Sequence, residues 1–481
     1  MKDTIDSLPD ISGGEASIEK YIKHKKDIFY PGSNISFDKV RSCFGVALHM
    51  HQPVIPAGGD DIRTAKLISN LQYMMEHQNI GDNHNAPVFL SCYTRMADFI
   101  KELVSEGKNP RIMLDYSGNL IWGLREMGEE KVLDNLKSVT CDKKYYGYLE
   151  WLGTMWSHSV VSSTPVPDIK LHIKAWQENF SAIFGVKALE RVKGFSAPEM
   201  HLPIHPDVCF EYVKALKECG YRWLMVQEHT IENMDGSSIR RPHFPHKLVA
   251  KNSLGEKIEI TVMIKTQGSD NKLIGQMQPY YEAKTLNHEK YCGVDLPPFV
   301  SQIGDGENGG VMMNEFPGMY KIVFREISKE GVVSMNATEY LEFIKHAGLA
   351  EDSFMPVQPV SQSKIWEFLK EYSQGAADKA IEKVKQKYPG FSLEKASWTS
   401  DKDWVKGYED IMDPIIKFSA MFHKRFDNEM VKRQASLPPA YKKALFYLLL
   451  SQTSCFRYWG TGIWTDYAKE ICRRGMEALK Q

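Results

Sequence analysis

Two histidines two residues apart, His49 and His51, close the apolar run 46–48 and are followed by Gln52 and Pro53. Side chains in a strand alternate with period two, so both imidazoles would face the same way. Pro53 has no N–H to donate and would end the ladder. Two imidazoles and an amide then enter one pocket, a pattern that suits zinc ligation and equally a polar pocket wall. Acids occupy comparable positions. Glu199 follows Gly-Phe-Ser-Ala-Pro at 194–198, where a glutamate is either a buried structural acid or a catalytic one. Asp305 and Glu307 sit in Ile-Gly-Asp-Gly-Glu at 303–307, again after an apolar run. Glycines beside an aspartate let the backbone approach a ligand, although Asp-Gly is also common in plain turns. The oxygen spacing of an EF-hand calcium loop is absent. Asp115 and His158 stand near the ends of two further apolar stretches. A single polar strand end is ordinary, but several converging on one rim make a site. Near the C-terminus, Arg457, Tyr458 and Trp459 follow the apolar run 446–450 and suit a surface against another domain or a ligand.

The elements that must position these residues alternate. Short apolar runs predict strands at 44–49, 112–116, 149–156, 192–197, 222–227, 258–265, 298–303 and 332–335. Amphipathic patterns predict helices at 62–77, 119–137, 168–184, 206–219, 315–330 and 337–347. Pro206 opens one of these and Gly220 closes it, a start and stop signal. Alternation at this length argues for parallel βαβ units. The expected fold is α/β: an incomplete, TIM-like barrel of (β/α)7 type over 44–355, after an N-terminal tail at 1–43. Its chemistry would lie at the C-terminal ends of the strands. The segment 228–257, rich in His, Arg, Pro and Asn, reads as a long loop on that side. Beyond about 355 the strand signal ends. Helical patterns at 362–373, 376–388, 402–430, 438–454 and 463–479 imply a C-terminal α-helical domain over 356–481 that contributes to the cleft.

Bulk properties narrow the partners. The formal net charge of -1 gives no electrostatic reason to expect nucleic acid or an anionic membrane. No window approaches the roughly 18 uncharged apolar residues of a membrane span. The 8 cysteines form no CxxC pair, which argues against a zinc knuckle or redox motif. The first residues lack the apolar core of a secretory signal, so a reducing cytoplasm is the expected location. The sequence leaves the oligomeric state open.

Taken in order, these segments resemble glycoside hydrolase family 57, whose members act mainly on α-glucans. The family's first motif ends in His-Gln-Pro, as do residues 51–53; its second is a short His-containing strand end, similar to Ser157-His158-Ser159. Its third carries a nucleophilic glutamate, placed at Glu199, and its fourth an acid/base aspartate, placed at Asp305. Its fifth, aromatic motif resembles 456–460. Two departures stand out: Ser196 replaces the usual Trp, and the segment starting at Lys265 lacks the usual Arg-Asp pair. The resemblance implies a retaining enzyme that hydrolyses α-glucans or transfers glucosyl units. His49, His51, Gln52, Asp115, His158, Glu307, Arg457, Tyr458 and Trp459 would bind substrate. Retaining chemistry needs two carboxyls about 5–5.5 Å apart, one of which holds a proton near neutral pH through burial and its neighbour's charge. No metal and no cofactor are expected on this reading, and the partner is an α-glucan oligo- or polysaccharide. Two alternatives remain: a metal-dependent carbohydrate hydrolase of deacetylase or mannosidase type using His49 and His51, and a catalytically weak glucan-binding protein.

Overall fold

The computed structural model describes residues 4–5, 8–9, 11–24, 26–266, 268, 271–307, 310–327, 331–393, 409–432, 437–458 and 462–480. Seven parallel strands form a closed ring: β1 (Val40–Met50), β2 (Ile112–Tyr116), β3 (Leu149–Gly153), β4 (Gly194–Ser196), β5 (Trp223–Gln227), β6 (Lys257–Lys265) and β7 (Phe299–Asp305). Neighbours in sequence are neighbours in the ring, and β7 returns to β1 over Phe299↔Cys43 to Asp305↔His49. The fold is the expected (β/α)7 barrel. Helices cover its outside, so the strands read as continuous apolar runs rather than alternating ones. Residues 43–50 at the centre are buried without a break.

Several elements depart from the sequence reading. The expected helix at 62–77 is a hairpin, Val54–Gly58 with Lys66–Ser69, followed by the short helix Asn70–Glu76. Ser69 caps that helix by accepting the Leu71 N–H at 3.2 Å, so the helical pattern starts later than apolar spacing suggested. A 20-residue helix, Ala86–Ser105, went unpredicted although Pro87 marks its first turn. The strand expected at 149–156 stops at Gly153, where an added Cβ would lie 2.1 Å from the Tyr221 hydroxyl oxygen. His158 therefore stands in a loop, beyond the strand end. The segment 228–257 contains strand His246–Lys251, which pairs with β6 and with Pro356–Pro359. Residues 356–359, read as the start of a helical domain, are thus part of the sheet that extends from the barrel.

Three long helices, α2 (Glu409–Lys432), α3 (Pro439–Ser451) and α5 (Ile463–Ala478), together with the short α4 (Cys455–Tyr458), follow in the C-terminal part. Gly475 of α5 lets the Phe418 ring of α2 come within 2.1 Å of where a Cβ would stand. Barrel helix α1 (Val166–Phe184) meets this layer through Asp168 and His172. At the opposite end of the barrel the Arg111 guanidinium grips Glu339 with Nε–Oε2 2.8 Å and Nη2–Oε1 3.1 Å. No helix among the described residues is long and apolar enough to cross a membrane. All 8 cysteines are free thiols.

Candidate active site

Strand register brings the chemistry together. His49 of β1 pairs with Asp305 of β7 on one side and with Asp115 of β2 on the other, so residues far apart in sequence form one row at the C-terminal rim. His49 Nδ1 lies 3.1 Å from Asp115 Oδ2. Two residues on, the pairing repeats: His51 Nδ1 lies 2.7 Å from Ser117 Oγ. The His51 backbone N–H donates to Glu307 Oε1 at 2.9 Å, which fixes the turn after β7 against the end of β1. Arg95 Nη2 holds the same turn through the Gly306 carbonyl at 2.9 Å.

His158 completes a wall of three imidazoles. Its ring stacks on His51 at 4.2 Å between centroids and 15°, and on His49 at 4.6 Å and 30°. Its Nδ1 lies 2.6 Å from Ser454 Oγ, and Cys455 Sγ lies 3.5 Å from His51 Nε2. The C-terminal helices therefore roof the wall at the start of α4. His158 adopts φ 60, a left-handed conformation that costs a non-glycine residue of order 1–3 kcal/mol and tends to persist where function holds it.

Glu199 is the second such residue. It sits at φ 57 and ψ 18 in the turn Pro198–Met200 after β4, with Oε1 3.9 Å from His158 Nδ1. The expected place at a strand end is thus a strained turn three residues beyond Ser196. Burial pushes the Glu199 carboxyl up to about 8; Asp305 adds to the rise and His49 opposes it. Glu307 is likewise pushed up to about 8 by burial against the pull of His49. Burial disfavours a charged His49, but Asp115, Asp305 and Glu307 outweigh it and hold the ring at about 9. His51 and His158 are pushed well below the ordinary histidine range by burial and by their imidazole neighbours. The wall is thus one cation between carboxyls and two neutral rings, the form in which an imidazole both donates and accepts. His49 Nε2, His158 Nε2, Asp115 Oδ1 and Glu307 Oε2 are buried with no hydrogen-bond partner, and buried polar atoms of this kind need one.

The other expected site residues fall differently. Gln52 is buried and its Oε1 accepts from Asn70 Nδ2 at 3.1 Å, which braces the wall from behind. Arg457 is buried, with Nη1 3.0 Å from the Ser163 carbonyl and Nη2 3.3 Å from the Gln452 carbonyl. The structure thus places its guanidinium on backbone, tying α4 to the barrel. The Tyr458 side chain and Trp459 lie outside the described residues. Sequence reasoning passed over Ser117, and it read the segment 451–460 as a surface against a domain or ligand without singling out Ser454 and Cys455. Ser117 could have been found, because it follows Asp115 at the same spacing as His51 follows His49. Among the described residues no group of three or more His, Cys, Asp or Glu could hold a metal ion.

Residues 46–256 match the model of Glycosyl hydrolase family 57. The fold is similar to that of a 4-alpha-glucanotransferase from Thermococcus litoralis, at 18% identity and TM-score 0.55, over 91% of this chain and 60% of that one. It is also similar to the alpha-amylase AmyC from Thermotoga maritima, at 10% identity and TM-score 0.52, over 92% and 93% of the two chains. A GH57-type branching enzyme from Pyrococcus horikoshii overlays at 12% identity and TM-score 0.50, over 91% of this chain and 88% of its own. The chain therefore spans 60% of the length of the glucanotransferase it overlays. No curated protein matches the chain by sequence.

Proposed function

We propose that this chain, whose residues 46–256 match the model of Glycosyl hydrolase family 57, cleaves or transfers α-glucan chains with retention of configuration. Glu199 is the nucleophile and Asp305 the acid/base. The observation that carries this reading is the rim of the barrel: two electrostatically coupled carboxyls at the ends of β4 and β7, with a wall of three imidazoles beside them. Glu199 attacks the anomeric carbon while Asp305 protonates the departing oxygen, leaving a glycosyl ester on Glu199. Asp305 then takes a proton from water or from a sugar hydroxyl, whose oxygen displaces Glu199. His49 and His158 hold sugar hydroxyls through the Nε2 atoms that the protein leaves without partners, and His51, held by Ser117 and Cys455, packs beside them. Burial and the charge of Asp305 favour the protonated form of Glu199, and attack proceeds from the microstate in which Glu199 is the carboxylate.

The test is product analysis with maltooligosaccharides, amylose and pullulan for the wild type, Glu199→Gln and Asp305→Asn. Wild type is expected to release shorter chains, or a ladder of longer ones if a sugar outcompetes water. Glu199→Gln should lose about 10⁴-fold or more and Asp305→Asn roughly 10²–10⁴-fold. Full activity in either variant would sink the assignment. Binding of amylose with no product from any glucan would point to a glucan-binding protein instead.

A further inference from the structure

The barrel interior bears directly on the turn that carries Glu199. Six strands of the ring send an apolar side chain into one buried cluster: Ala47 of β1, Met113 of β2, Leu152 of β3, Met225 of β5, Met263 of β6 and Ile303 of β7. The strand β4 is the exception. Its Phe195 packs outward against Tyr212 and Tyr221. A Cβ on Gly194 would meet the Trp223 ring at 2.1 Å, and Ser196 is small and ends in a hydroxyl. Met200 takes the place of β4 from beyond the strand end. It is 2% exposed and belongs to the same cluster, and its Sδ lies 4.0 Å from Ser196 Oγ. To reach back, the chain takes two consecutive left-handed residues, Glu199 at φ 57 and Met200 at φ 48. Two backbone hydrogen bonds brace the turn: the Met200 N–H donates to the Ala197 carbonyl at 2.9 Å, and the His201 N–H to the Pro198 carbonyl at 3.1 Å.

We propose that Met200 is the positioning residue of the nucleophile: its side chain, anchored in the barrel interior, holds the left-handed turn that aims the Glu199 carboxyl into the cleft. The inference rests on the assignment of Glu199 above. Left-handed backbone is unfavourable for a residue with a Cβ, and such residues persist only where surrounding contacts over-determine them. An unbranched, polarizable thioether fills an irregular gap, and burial of its apolar surface offsets the backbone cost. Without that anchor, residues 199 and 200 would relax toward the ordinary backbone regions. The Glu199 side chain would then turn away from His158 Nδ1, which lies 3.9 Å from its Oε1. A reacting group misplaced by about 1 Å loses on the order of 10²-fold in rate. The same release would admit water to a carboxyl that burial pushes up to about 8, so its proton would be lost at lower pH. The small side chain at 196 is part of the device, because a large one there would crowd the Met200 sulfur.

The experiment uses the full chain with maltotetraose and reads kcat, KM and the pH profile of kcat/KM. Met200→Ala should lower kcat by about 10²-fold with KM little changed, and its alkaline limb should move to lower pH. Met200→Leu, which keeps apolar volume, should restore most of the rate and the limb. Met263→Ala opens a similar space in the same interior on β6, away from the turn, and should keep both. Equal loss of kcat in Met200→Ala and Met263→Ala at an unchanged limb marks general packing and overturns the inference, as does wild-type kcat in Met200→Ala. If Met200→Ala fails to fold, Met200→Val, a smaller truncation, is read the same way. An inactive Glu199→Gln beside a fully active Met200→Ala rejects the anchor alone. A Glu199→Gln enzyme as active as the wild type, or a wild type that leaves maltotetraose intact, rejects the nucleophile and its anchor together.

Discussion

Glu199, Glu307 and Glu150 are each pushed up to about 8, in every case chiefly by burial, so the folded protein binds protons that the unfolded chain releases near pH 4–5. The stability these groups contribute is full below that range and is lost as pH rises through about 8. Glu199→Gln keeps the shape and removes the ionisation. Its thermal midpoint should equal that of the wild type at pH 5 and exceed it at pH 8.5, while activity is lost. A midpoint difference independent of pH would show that Glu199 does not titrate as the site geometry implies. The same proton governs turnover. Above about 8 the carboxyl pair loses it, so kcat/KM should fall on the alkaline side in the wild type. At this scale the sequence supplied the residue types and their spacing. It could not supply the left-handed turns at Glu199 and His158, because strain at a non-glycine residue is imposed by the surrounding packing and leaves no local signature.

The elements that close the site are joined by a buried polar relay. Asp168 of α1, fully buried, receives His423 Nε2 of α2 at 2.7 Å and Gln452 Nε2 at 2.7 Å. Gln452 Oε1 in turn meets His172 Nε2 at 2.8 Å, and His423 Nδ1 reaches Asp427 at 2.9 Å. Burial opposes a charged His423, but Asp168 and Asp427 raise its pKa. The clasp is therefore complete below about 6.5, the unfolded histidine value, and weakens as pH climbs through the raised folded value. Replacing His423 with Gln should remove hydrogen bonds to a charged group, at about 1.5–3 kcal/mol. Amide exchange should then speed up in α2 and α3 while the β strands stay protected, and the pH dependence of that exchange should disappear. Uniform protection across pH in the wild type would refute the clasp. Helix existence was legible here from apolar spacing at 402–430, 438–454 and 463–479. The hairpin at 54–69 was not, because it pairs Val54 with Ser69 and Ile55 with Ile68, a register that no apolar period in the sequence records.

The whole molecule separates stability from chemistry along the barrel axis. At the N-terminal end Arg111 and Glu339 form a buried, two-bonded ion pair that ties β2 to the helix Ala337–His346. Removing one partner of such a pair leaves the other charge buried, at a cost of about 3–5 kcal/mol. Arg111→Leu should lower the denaturant midpoint substantially while the pH profile of kcat/KM keeps its limbs. A shifted limb would mean that the two ends are coupled. The sequence by itself determined the alternation of strands and helices, hence the barrel class, and it marked His49, His51, Glu199 and Asp305 as candidates, because hydrophobic period and residue chemistry are local properties. Tertiary structure alone decided that Asp305, His49 and Asp115 share one row, that Arg457 reaches the Ser163 carbonyl, and that Ser454 and Cys455 roof the imidazole wall. Each of these follows from strand register and helix docking between segments up to several hundred residues apart, and no window of sequence contains both partners.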